Sequence, residues 1–295
     1  MKPKVLTPAR LSKGSGREAG LLLRNHVESY LEHLKKSESD SGFRRAMRRD
    51  LAGAKDVQQA FFPPESLSIP CMACQTFYQP AHEIGGDYYD FLSLQGGRWG
   101  IAIGDVSGKG ISAALIMASL QASLRAQALH PHLHLSTLIG NVNRLVSESS
   151  PTHLFASLFY SEYEPATRML KFVNAGHNPP IVVRRRNGSC EMFYLNSTGV
   201  PVGISAASQF ASGTFQFEVD DLLIAYTDGI TETENDHGEP WGQQRLENLL
   251  RSYSRKTPEQ IVKGILDQVS TFANGQPQQD DMTLLVMGVQ GDCNL

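Results

Sequence analysis

From Cys71 onward the apolar positions fall in short blocks separated by turn residues, the texture of half-buried and buried strands. The blocks read CMACQTFYQ, WGIAIGDV, LFASLFYSEY, RMLKFVNA, PIVVRRR, CEMFYL, GTFQFEV, DLLIAYT and MTLLVMGV. Short polar connections such as EPAT and NGS join several of them, which predicts antiparallel pairing. Helical periodicity interrupts the blocks over about 110–129, 135–148, 242–253 and 257–273. Strands clustered apart from consecutive helix pairs predict an α+β layered domain, not an alternating βαβ fold. Upstream, Leu23, Val27, Leu31 and Leu34 fall on one face of a helix over 17–36. The stretch SESDSG breaks it, and a second helix is predicted from Phe43 to about Phe62, with Met47, Leu51, Ala54, Val57 and Phe61 on one side and Pro63–Pro64 as its stop. Residues 1–16, rich in Lys, Pro, Gly and Ser, read as a disordered tail, and 17–62 as a helical regulatory or dimerisation arm.

Composition changes this picture little. Of 295 residues, 41% are hydrophobic and 19% charged, as in a folded soluble protein. No apolar run approaches the roughly 20 residues that span a bilayer, and the first residues lack a signal-peptide core, so a cytoplasmic protein without a membrane span is expected. The net charge of −3 conceals an asymmetry: +7 over residues 1–55 and −10 over the remainder. A negative core disfavours nucleic acid as a partner, and RRAMRR in the arm, without interleaved aromatics, reads as a solvated or partner-facing helix surface. Four cysteines are too few for a disulfide scaffold. Cys71 and Cys74 form a CxxC, but in a strand positions three apart face opposite sides, so neither metal nor redox use is expected. The HPHLH stretch, His130–His134, reads as a loop.

The candidate chemistry is acidic. Asp105 in GDVSGKG and Asp228 in YTDGITE each follow an apolar strand and precede a turn. Asp280 in QQDDMTLLV immediately precedes a strand, and Asp87 in GGDYYDF follows a Gly-Gly corner. One such aspartate is an ordinary turn or cap residue. Four at strand edges can converge on one rim, and there they repel by about 4 kcal/mol per pair at about 4 Å and an effective dielectric of 20. They must then protonate or take up cations. Carboxylate oxygens are hard ligands suited to Mg²⁺ or Mn²⁺, and four suffice for two ions. GDVSGKG is not a nucleotide-binding P-loop: the GxxxxGK[ST] spacing is absent and Gly110 stands where Ser or Thr would hold magnesium. On this reading Asp105 holds a metal and the metal holds phosphate, while Lys109 either assists there or simply faces solvent, the second being favoured.

With these residues in view, the sequence resembles the SpoIIE/RsbU-type protein serine/threonine phosphatases, a bacterial branch of the metal-dependent protein phosphatase 2C fold. The matching pieces occur in order over about residues 57–288: QQAFFP, QPAHEIGGDYYDF, IAIGDVSGKGISAALIMA, FASLFY, FVNAGHNPP, GVPVGI, YTDGITETEN and DDMTLLV. The resemblance implies a four-layer αββα sandwich, two antiparallel sheets flanked by helices, as a catalytic domain over 63–292. It implies two Mn²⁺ or Mg²⁺ ions held by Asp87, Asp105, Asp228, Asp280 and the backbone carbonyl of Val106, with Asp281 in support.

The implied reaction is hydrolysis of phosphoserine or phosphothreonine by a water activated between two ions, with no enzyme nucleophile. Where the eukaryotic branch reads DGHGG, this chain reads DVSGKG, with Ser107 in place of the histidine proposed there as general acid. His177 in NAGHNPP is read as a loop-shaping residue. The implied substrate is a phosphorylated STAS-type anti-sigma factor antagonist, and the arm could receive an activating partner or self-associate. Two alternatives stand beside this reading: a catalytically silent regulator that binds partners on the same fold, and a two-metal hydrolase of nucleotides or phosphodiesters.

Overall fold

The computed structural model describes residues 41–130, 133–151, 153–186, 188–253 and 256–291. The predicted tail at 1–16 and helix at 17–36 lie outside these residues. The chain divides at Gly53/Ala54 into two units. The described part of the first is helical and belongs to α1, Ser41–Gln59. It begins two residues before the predicted Phe43 and stops short of Phe62, because the tight turns at Phe61 and Phe62 already close onto the Gln58 and Gln59 carbonyls ahead of Pro63–Pro64.

The second unit is built on two antiparallel sheets. One has six strands in the order β1 (Ser66–Ile69), β2 (Met72–Gln79), β11 (Met282–Val289), β10 (Leu222–Tyr226), β7 (Ile181–Arg186), β8 (Ser189–Tyr194). The other has five: β3 (Tyr88–Ser93), β4 (Trp99–Val106), β5 (Ala156–Glu164), β6 (Met169–Ala175), β9 (Gly213–Gln216). Helices α2 (Ile111–Ala128) and α3 (Leu135–Ser149) pack on the five-stranded sheet. Helices α5 (Gln243–Ser252) and α6 (Pro258–Ala273) pack on the six-stranded one, and a single turn, α4 (Asp228–Thr231), follows β10.

Strand alternation produces this layering. Along β10, Leu223 and Ala225 face the inter-sheet core with Phe159, Ile103 and Leu285, while Ile224 and Tyr226 face Ile261 and Ile265 of α6. On the opposite side Ala102 and Tyr160 meet Leu120 and Leu138 of the α2–α3 layer. The αββα sandwich expected from the resemblance is the fold observed. Strands β1 and β3 escape the sequence pattern: β1 is only four residues, and β3 contains a buried aspartate, Asp90, where an apolar residue is the norm. Asp90 is tolerated because Arg125 of α2 grips both its oxygens at 2.7 and 2.9 Å and Tyr88 donates its hydroxyl at 2.7 Å. The CxxC is no ligand pair: Cys74 is a free, buried thiol, and Cys71 does not pair with it.

Candidate metal centre

The four aspartates stand at one rim of the sandwich. Asp105 is the penultimate residue of β4, Asp228 follows β10 by two, Asp87 precedes β3 by one and Asp280 precedes β11 by two. Antiparallel pairing makes a strand end and a strand start neighbours. The register that pairs Tyr88 with Gly104 carries Asp87 abreast of Asp105. The register of Tyr226 with Leu284 carries Asp228 towards Asp280.

Asp87 is 1% exposed. Its Oδ2 accepts from Thr227 Oγ1 at 2.8 Å and Thr283 Oγ1 at 2.6 Å. Both threonines belong to the six-stranded side, so this carboxylate of one sheet is anchored by hydroxyls of the other. Its other oxygen, Oδ1, is buried without a hydrogen-bond partner, a costly state for a carboxylate unless a proton or cation completes it. Burial, then the Asp105 charge, pushes the Asp87 carboxyl well above its usual range. Burial, then Asp228 and Asp280, pushes Asp105 up to about 7. Asp228 is raised by burial, then by Glu232 and Asp280.

Asp281 turns the other way. Its Oδ1 accepts from the Ala81 amide at 2.7 Å and its Oδ2 from the Gly86 amide at 2.6 Å, fixing the loop that carries Asp87. Gln58, at the end of α1, holds the same loop through both backbone groups of Gly85, accepting from its amide at 3.0 Å and donating to its carbonyl at 2.8 Å. The glycines here are close-approach residues. A Cβ on Gly86 would lie 2.9 Å from the Val106 carbonyl oxygen, and one on Gly229 would lie 2.1 Å from the Asp281 carbonyl oxygen. The Val106 carbonyl thus abuts the Asp87 loop, while its side chain is buried against α2.

The rest of the GDVSGKG turn departs from the sequence reading. Lys109 does not simply face solvent: its Nζ lies 2.9 Å from Asp280 Oδ2 and donates to the Gln279 carbonyl at 2.5 Å. Ser107 Oγ accepts from the Phe155 amide at 3.0 Å and so serves the turn. His177 is buried, its amide on Asn174 Oδ1 at 2.8 Å and its Nδ1 2.8 Å from Ser157 Oγ. Burial pushes its ring down to about 4. Gln58, Thr227 and Thr283 were not singled out in the sequence. Each lies inside a quoted motif, but a polar residue at the end of a helix or strand carries no distinguishing signal of its own.

This hard-oxygen donor set, with one orphaned buried oxygen and mutually raised acids, suits divalent cations. No three His, Cys, Asp or Glu side chains among the described residues stand close enough to chelate one ion. The fit is therefore of carboxylates acting in pairs with carbonyl or water oxygens, as Mg²⁺ sites commonly are.

Layering and rim together define the PP2C-like phosphatase fold. The SiaA PP2C domain of Pseudomonas aeruginosa superposes with a TM-score of 0.70 at 17% identity, over 84% of this chain and 98% of that one. The RsbU and RsbW domains of Rv1364c from Mycobacterium tuberculosis superpose at 0.65 with 26% identity, over 77% of this chain and 62% of that one. The family described as Stage II sporulation protein E (SpoIIE) matches residues 95–290, and the chain belongs to it. Among its relatives, the phosphoserine phosphatase RsbU of Bacillus subtilis strain 168 is 27% identical over 263 residues, 88% of this chain and 74% of that protein.

Proposed function

We propose that this chain is a Mn²⁺- or Mg²⁺-dependent protein phosphatase that hydrolyses phosphoserine or phosphothreonine on a regulatory protein of the STAS type. The observation that carries the reading is the rim, where Asp87, Asp105, Asp228 and Asp280 stand together with one buried carboxylate oxygen unsatisfied. A relative named as a phosphoserine phosphatase supports the substrate class.

Bound divalent ions would neutralise phosphate charge and make a water acidic enough to attack phosphorus. The chain's own residues do the rest. Asp87 and Asp105, abreast at the β3–β4 edge, and Asp228 and Asp280, at the β10–β11 edge, would hold the ions, with the Val106 carbonyl beside them. Thr227 and Thr283 aim Asp87, leaving its Oδ1 free to ligate. Asp281 and Gln58 keep the 81–87 loop in place so that this aim persists. No cysteine or histidine is needed as a nucleophile. His177 is buried and neutral near pH 7, a holder of its loop. Partner binding through the N-terminal helices, and a cytoplasmic setting, belong to the same proposal; among the described residues no helix is long and apolar enough to cross a membrane.

The test is phosphate release from a phosphoserine STAS-type protein with Mn²⁺ and with chelator, for the wild type and Asp228→Asn. Release that requires Mn²⁺ and falls at least about a hundredfold in the variant is expected, since a single misplaced contact at a reacting centre costs that much. A folded wild type that releases nothing under any divalent ion overturns the phosphatase reading in favour of a partner-binding regulator.

A further inference from the structure

Lys109 stands on the turn between β4 and α2, and its partner Asp280 lies on the approach to β11. The side chains are 46% and 35% exposed, so this is a surface ion pair, yet it joins the β4–α2 turn to the start of β11 across most of the second unit's sequence. The ammonium has two anchors, the Asp280 carboxylate at 2.9 Å and the Gln279 carbonyl at 2.5 Å. It also feels the charges of Asp281 and Asp228. Among the described residues no other lysine or arginine forms an ion pair with any of the four rim aspartates. Lys109 and Asp280 also share the wall of a cavity of about 740 Å³, which contains Glu232 and Glu234. An ammonium released from Asp280 therefore has both room and carboxylates to receive it.

A carboxylate oxygen that accepts from an ammonium has one fewer lone pair for a metal, and a fixed positive charge nearby opposes a second one. We infer that Lys109 is a tethered counter-ion of the rim: it occupies Asp280 when no divalent ion is bound, and an ion must displace it to use that carboxylate. The residue thereby sets the cation concentration at which the site fills. This rests on the metal-centre reading above. It concerns how the centre loads, not the hydrolysis that follows.

The test is calorimetric titration of Mn²⁺ into the full chain, with thermal melts in chelator alongside. The chains compared are the wild type, Lys109→Gln, Lys109→Arg and, as a control, Lys263→Gln. Lys263 is an exposed lysine of α6 whose ion-pair partner is Asp267 at 2.9 Å and not a rim aspartate. Lys109→Gln is expected to tighten the weakest Mn²⁺ site about tenfold, a Coulomb effect reduced by solvent. It is also expected to lower the melting temperature in chelator by about 2–4 °C. Lys109→Arg and Lys263→Gln should match the wild type. Equal or weaker Mn²⁺ affinity in Lys109→Gln overturns the inference. So does equal tightening by Lys263→Gln, which would mark the effect as one of net charge. If the wild type itself binds no Mn²⁺, the metal-centre reading fails and takes the inference with it.

Discussion

Asp281 and Gly229 show how much of this site is backbone held in place. Gly229 lies so close to the Asp281 carbonyl that any side chain there collides with main chain, which cannot step aside as a flexible side chain can. Gly229→Ala is expected to destabilise the fold by about 3 kcal/mol or more, read by urea denaturation. Asp281→Ala removes the acceptor of two short amide hydrogen bonds and leaves the Gly86 amide buried and unpaired. A loss of about 1–3 kcal/mol is expected, with kcat reduced because the loop that aims Asp87 loosens. Thr283→Val should cost less stability, since Thr227 still donates to Asp87. At this scale the sequence was legible where a residue had a motif around it. The aspartates stood at strand edges beside glycines. Thr227 and Thr283 matter through pairing with Asp87 across 140 and 196 residues, which no local pattern encodes. The choice between an assisting and a solvent-facing Lys109 was undecidable for the same reason, its partner lying 170 residues downstream at Gln279.

Among the elements, the long alternating strands could be read directly, and β2, β4 and β11 begin and end within a residue of their blocks. Helices α2, α3, α5 and α6 agree equally well, and at the start of α6 Thr257 with Gln260 forms a capping box with Pro258 following. Strand β3 was hidden by Asp90, whose burial is compensated from another element. That compensation makes a test. Arg125→Ala leaves a buried carboxylate without its guanidinium, so a loss of about 3–5 kcal/mol is expected. Because Asp90 lies three residues along β3 from Asp87, the same variant should weaken Mn²⁺ binding. Leu285→Ala, by contrast, opens a cavity between the sheets and should cost about 2–5 kcal/mol.

For the whole molecule, the raised rim acids Asp87, Asp105 and Asp228 and the lowered His177 shape the response to pH with opposite signs. Asp105, raised from 3.8 to about 7, favours the folded chain while protonated, so its contribution is full below about pH 4 and lost as pH climbs through 7. His177, lowered from 6.5 to about 4, contributes above pH 6.5 and is lost as pH falls through 4. Over pH 4–7 the two slopes oppose one another. Asp105→Asn removes one of them. In chelator its melting temperature relative to wild type should therefore rise steadily between pH 4 and pH 7. A difference that stays flat across that window would show that the rim acids do not repel. With Mn²⁺ present the wild type should recover much of this gap, since a cation replaces the missing proton.

The hydrogen bonds that define the rim join Asp87 to Thr227 and Thr283, and Asp281 to Gly86, across separations of 140 to 196 residues. Contacts this distant in sequence close only after the intervening chain has found its path. An intermediate that has formed α2 and α3 against β4–β6, or a fragment truncated before β11, contains some of the acids without their full arrangement. On the proposed metal centre, cation capture is thus a late reporter of folding. In a refolding experiment, Mn²⁺ capture should trail the recovery of helical signal, and a chain ending before Asp280 should recover helix without ever capturing the ion.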